Sequence, residues 1–132
     1  MGSILTLTEY FMGRDATHAE ELDEALKENA RLIVARANEL LRLSGATHAR
    51  VNSGWRPRSI NAAIAHASPR SRHLTCEAID LGDVDGGLDT WCMHNLDRLE
   101  VLGLWLEHPD ATPGWCHVQT VPPRSGRRVF MP

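Results

Sequence analysis

At 132 residues the chain is long enough to bury a core of its own without disulfide or metal staples. Its hydrophobic share of 42% and charged share of 23% are the balance of a soluble globular protein, expected here as one domain over residues 1–132. A formal net charge of −3 removes the electrostatic grounds for a nucleic-acid partner, and the short basic cluster Arg124, Arg127 and Arg128 reads as a solvated tail.

Taken in chain order, the start from Met1 to Leu7 has no basic region, no long apolar core and no cleavage site, so no secretory leader is expected. No later run approaches the roughly 18 apolar residues of a spanning helix, so no membrane partner is expected either. The expectation is a chain that is cytoplasmic as synthesised and that needs release or delivery to act outside the cell. Thr8 before Glu9, Tyr10, Phe11 and Met12 suggests a short capped helix. From Ala19 to Leu43 the spacing of Leu22, Ala25, Leu26, Ile33, Ala37, Leu40 and Leu41 predicts one long amphipathic helix, which Ser44 and Gly45 stop. Acidic residues gather at its start and Arg36 and Arg42 near its end, as the helix dipole favours.

A short strand over Ala49 to Ser53 then ends in a Gly/Pro break, with Arg56 just beyond it where a loop can aim it into a cleft. Ser59 to Ala67 reads as a helix and Ser68 to Ser71 as a turn. Gly82 to Gly87 is a loop whose aspartates lack the spacing and terminal glutamate of a calcium site. A helix is expected from Leu88 to Val101, a strand over Leu102 to Glu107, a polar loop over His108 to Gly114 and an extended, turn-rich tail. Cys76, Cys92 and Cys116 are an odd number without a CxxC pair, so a reducing compartment fits better than a disulfide framework. The sum is an α+β fold, a long N-terminal helix on a small, mostly antiparallel sheet.

Two stretches carry polar groups that such a sheet can bring together. In Ser71-Arg72-His73-Leu74-Thr75-Cys76-Glu77-Ala78-Ile79-Asp80-Leu81, strand alternation puts Ala78 and Asp80 on one face and Ile79 and Leu81 on the other. The same parity places Cys76 on the Asp80 face, where a thiol competes for metal or oxidises. In Trp115-Cys116-His117-Val118-Gln119, Trp115, His117 and Gln119 share a face. If the two strands are neighbours, His73, Asp80 and His117 converge. Two imidazoles and a carboxylate are a zinc set that leaves a fourth position open, the catalytic rather than the structural pattern.

The series Ser53-Gly54-Trp55-Arg56, Asn61, Ser71-x-His73-x6-Asp80 and Trp115-x-His117 resembles the M15 family of zinc peptidases, over roughly residues 50–120. That family includes D-Ala-D-Ala carboxypeptidases and phage endolysins, and the helical N-terminal part and the Pro122-to-Gly126 tail look closest to a small phage-associated branch. The resemblance implies a hedgehog-like D-Ala-D-Ala-peptidase fold, one zinc ion per chain held by His73, Asp80 and His117, and a peptidoglycan peptide as substrate. It also implies that Arg56 holds the substrate's carboxylate or polarised carbonyl, and that Ser71 lines the substrate site. A surface ion pair is the other reading of Arg56, and a turn cap that of Ser71.

The chain departs from that family where many members carry an acidic general base, three positions before the last histidine ligand: the residue here is Gly114. Where some members carry a histidine, five positions before that ligand, Thr112 stands. Glu107, His108 and Asp110 are the remaining candidates, and Glu107 is preferred because it ends a strand. The expected function is zinc-dependent hydrolysis of peptidoglycan stem peptides. A catalytically silent zinc-binding module of a phage or cell-wall-binding assembly is the alternative, and the missing acid favours it.

Overall fold

The computed structural model of the protein describes residues 3–132. The first helix, α1 (Leu7–Phe11), is capped by Thr6 rather than Thr8: the Thr6 side chain and Glu9 exchange hydrogen bonds with each other's backbone N–H groups. A short α2 (Arg14–Thr17) and a single 3-10 turn (Ala19–Glu21) follow. The long helix, α3 (Glu24–Leu43), therefore starts later than its apolar spacing suggests. Asp23 sets that start by accepting the Leu26 N–H at 2.8 Å, a cap worth about 1 kcal/mol.

One five-stranded sheet lies against α3. Its strands are β1 (Val51–Ser53), β2 (Ala78–Gly82), β3 (Trp105–Glu107), β4 (Trp115–Gln119) and β5 (Val129–Phe130). Their order is β1-β2-β4-β3-β5, antiparallel throughout except for the parallel pair β3–β5. The sheet is thus mixed, and the tail, expected to be extended and turn-rich, supplies its edge strand. Ile79, Leu81, Cys116 and Val118 bury one face of the central strands into a core with Ile33, Ala37, Leu40 and Leu41 of α3. Each fully buried Ile or Leu there contributes about 1.5–3 kcal/mol.

Polar clamps hold this layer together. The Asn38 side chain, buried on α3, accepts the N–H groups of Ile4 and Leu5 at 2.9 Å each and donates to the Leu5 carbonyl at 3.0 Å. Arg36 donates to the carbonyl of Gly103, whose positive φ ends the helix before β3. The helix expected over Leu88–Val101 is broken in two, α5 (Gly87–His94) and α6 (Leu96–Leu102), at Asn95. Asn95 satisfies its own side chain on the Trp91 carbonyl, a local bond that competes with helix continuation. The helix expected to reach Ala67 is α4 (Arg58–Ala63) and stops short.

In the loop before α5, Asp83 spends its carboxylate on the N–H groups of Leu88 and Asp89, at 2.9 and 2.8 Å. Asp89, buried beside it, has the Thr112 hydroxyl at a long 3.4 Å from Oδ2 and the Cys116 thiol as a weak donor. Burial first, and the charge of Asp83 next, push the Asp89 carboxyl up to about 6. The folded value lies above the unfolded one, so its stabilising effect is complete below about pH 4 and lost as pH rises through about 6. Asp89→Asn is expected to exceed the wild type in stability at pH 8 by on the order of 2 kcal/mol and to match it at pH 4. Urea unfolding at the two pH values checks this; an equal difference at both would rule the ionisation out as the cause.

Candidate metal centre

The antiparallel register of β2 and β4 places Asp80 directly opposite His117. His73 enters from the loop before β2, and its ring lies 5.4 Å from the His117 ring, edge to face. One ligand atom from each of His73, Asp80 and His117 lies within 4.8 Å of the others, so this group could hold a metal ion. His73 and His117 are nearly fully buried and Asp80 is partly open.

The hydrogen bonds fix which nitrogen faces inward. His73 donates Nδ1–H to the Gly54 carbonyl at 2.8 Å, which leaves the lone pair of Nε2 facing Asp80 Oδ2 at 3.3 Å. On the other side, Gln119 anchors its amide by donating to the Val121 carbonyl, so its Oε1 faces His117 Nε2 at 3.0 Å and takes that proton. His117 Nδ1 is then left toward Asp80 Oδ1, 2.7 Å away. Both ring protons are committed outward, and three electron-rich atoms converge inward. That is the outer-shell arrangement of histidine metal ligands.

Electrostatics agrees with a cation-seeking centre. Burial pushes the Asp80 carboxyl up, but a proton taken up on the inward nitrogen of His117 or His73, standing where a metal cation would, bonds Asp80 and holds it well below the usual carboxylate range. Burial pulls His117 down, and the bond to Asp80 more than restores it, so its net shift is upward. At His73 burial wins and the ring is held neutral.

Arg56 and Ser71 stand beside the centre. Arg56 gives its backbone N–H to the His73 carbonyl at 3.0 Å and reaches Ser71 Oγ with Nη2 at 3.4 Å. Ser71 Oγ also accepts the His73 N–H at 3.2 Å, so the turn-cap reading of Ser71 holds alongside its place at the site. The surface-pair reading of Arg56 does not: it makes no ion pair among the described residues, and its Nε is buried without a partner. Burial lowers its pKa while Asp80 opposes that shift.

Glu107 ends β3. The register pairs Leu106 with Val118, so the next step along the strands sets Glu107 beside His117. Burial raises its carboxyl, and attraction to His117 counteracts part of the shift. His108 and Asp110 instead meet each other, the Asp110 N–H donating to His108 Nδ1 at 3.1 Å. Gly114 has φ of 92°, a conformation that a side-chain-bearing residue seldom adopts, so this backbone discourages an acid there.

Cys76 corrects one expectation. It precedes β2 with φ of 58°, outside the strand, so alternation does not reach it. The residue is fully buried in the core rather than at the metal centre, and burial pushes its thiol up to about 12, leaving it inert. Glu77 accepts the Thr75 hydroxyl and pairs with Arg72.

Three contributors escape sequence reasoning. Gly54 acts through a backbone carbonyl, which no residue type announces. Phe130 reaches the His117 ring from β5, with centroids 6.1 Å apart. Gln119 had a signal, its shared face with His117, but its role depends on the bond to Val121. At Gly54 a Cβ would sit 1.9 Å from the Tyr10 carbonyl oxygen, a backbone atom that cannot step aside. Gly54→Ala is expected to cost at least about 1–3 kcal/mol and, by displacing the carbonyl that orients His73, to weaken metal binding about 10–100-fold. Urea unfolding and chelator competition measure the two effects, and no change in either would exclude this orienting role.

Comparisons with protein-family models, with curated proteins and with solved structures find no match to this chain. No helix among the described residues is long and apolar enough to cross a membrane.

Proposed function

We propose that the protein is a zinc-dependent hydrolase of peptide bonds in peptidoglycan stem peptides, acting as a D,D-carboxypeptidase or endopeptidase. The observation that carries the reading is the convergence of His73 Nε2, Asp80 and His117 Nδ1 with both outward ring protons committed elsewhere. Two imidazoles and one carboxylate suit zinc and leave a coordination position free. The substrate class and the finer fold, hedgehog-like and D-Ala-D-Ala-peptidase-like, rest on the resemblance of residues 50–120 to the M15 family.

Zinc bound at such a site supplies Lewis acidity and a water molecule acidified toward neutrality. The chain's own residues divide the remaining work. Arg56, already half desolvated, offers a guanidinium fork to the substrate carboxylate or to the oxyanion charge. Ser71 orients that guanidinium and the backbone of His73. Glu107 takes the proton of the attacking water and returns it to the departing amine, a role for which a raised carboxyl is suited.

Gly114 favours a second reading, a silent zinc-binding module without a general base. A muropeptide digest read by mass spectrometry separates the two. Release of D-alanine or of a cleaved stem peptide, absent when zinc is chelated, supports the hydrolase. Intact muropeptides alongside zinc-loaded protein would leave only the silent module.

A further inference from the structure

Arg14 lies outside every motif that marks the site, yet it reaches the site's wall from α2. Its Nη1 donates to the Trp55 carbonyl at 2.9 Å. The N–H of that same peptide unit belongs to Arg56 and donates to the His73 carbonyl at 3.0 Å. One planar peptide is thus held by Arg14 on one side and by the backbone of a metal-centre histidine on the other. Burial lowers the Arg56 pKa most, Asp80 opposes that shift, and the charge of Arg14 adds to it, so the two guanidiniums act on each other.

Like charges kept together and partly desolvated call for a counter-charge. The protein supplies none. Neither arginine makes an ion pair among the described residues, and Asp80 is engaged by His117 at 2.7 Å and by His73 at 3.3 Å. Their donors are not shut away. Both residues are half-buried, and of their unpartnered nitrogens only Arg56 Nε is enclosed, so the others stay open to a ligand.

Position along the wall separates two jobs. Arg56 stands next to the metal centre, bonded to His73 and under the influence of Asp80. Arg14, whose pKa burial alone lowers, lies farther out. The last residue of a peptide presents its groups in the same order: the carbonyl under attack, then, about one 3.8 Å step along the chain, the terminal carboxylate. Within a longer chain that second place holds a neutral amide, which brings the arginines no charge.

We infer that Arg14 is a specificity-determining residue that seats the free C-terminal carboxylate of the substrate and leaves Arg56 to the carbonyl under attack, which makes the site a carboxypeptidase rather than an endopeptidase. The inference rests on the hydrolase reading for the identity of that carbonyl, and it decides the choice between end-cleavage and internal cleavage that the reading leaves open.

Fluorescence anisotropy on zinc-loaded protein tests it with a D-alanyl-D-alanine ketomethylene isostere, which cannot be hydrolysed, labelled with fluorescein at its N-terminus. The free acid is expected to bind about tenfold more tightly than the C-terminal amide, because a charged acceptor strengthens the guanidinium bonds. Arg14→Gln should remove most of that preference by weakening the acid alone, with zinc content unchanged. Arg14→Lys keeps the charge without the fork and should retain part of it. Equal binding of acid and amide, binding of neither, or a preference untouched by Arg14→Gln would overturn the inference. So would an equal loss for both ligands in Arg14→Gln, which would reduce Arg14 to a clamp on the Trp55 carbonyl. Digests of an ordinary peptide ending in D-Ala-D-Ala, read by mass spectrometry, keep the two readings apart. Discrimination without cleavage retains the carboxylate seat and removes the hydrolase; cleavage without discrimination does the reverse.

Discussion

Asp80→Asn is expected to bring metal affinity down by more than the about 10–100-fold that follows loss of an outer-shell partner, and to leave the fold intact. Asp80 is the one carboxylate between the two imidazoles, contacting His117 at 2.7 Å and His73 at 3.3 Å. Asparagine keeps its volume and an acceptor oxygen but removes the negative charge that a divalent ion needs at this position. Added zinc should therefore raise the melting temperature of the wild type, as any ligand of the folded state does, and leave that of the variant unmoved. Chelator competition gives the affinities directly. A variant that takes up zinc like its parent would remove Asp80 from the ligand set.

Glu107→Gln separates chemistry from metal binding. Glu107 stands beside His117 without being one of the three converging groups. Turnover of a muropeptide is expected to fall about 10²–10⁴-fold, the usual contribution of a general base, with zinc content unchanged. Unaltered turnover would pass the role to another group of the same loop, His108 or Asp110. Loss of zinc together with turnover would show Glu107 to be a ligand instead.

The converging triad was legible because it depends on short-range regularities. Strand alternation gave Asp80 and His117 their common face, and the single pairing β2–β4 made them neighbours. The same rule misplaced Cys76, since period-two parity ends where the strand does and the chain turns left-handed at that residue. The edge strand β5 was hidden for a different reason. Two residues, Val129 and Phe130, carry no pattern of their own, and their parallel pairing to β3 is decided by distant contacts. The two-helix break at Asn95 turns on one side-chain hydrogen bond that competes with a pattern otherwise favouring continuity. Gly54 shows the limit most plainly. Its motif marked the site, but its use, a carbonyl beneath His73 and a missing Cβ beside Tyr10, exists only once the chain is folded.

The most direct measurement is the metal content of the purified protein beside His117→Ala, after loading with zinc and dialysis. About one zinc per chain in the wild type and none in the variant is the expected result, because three converging ligands hold an open-site zinc and two do not. Wild-type protein without zinc, or a variant that keeps it, would contradict the assignment of His73, Asp80 and His117 as the metal centre.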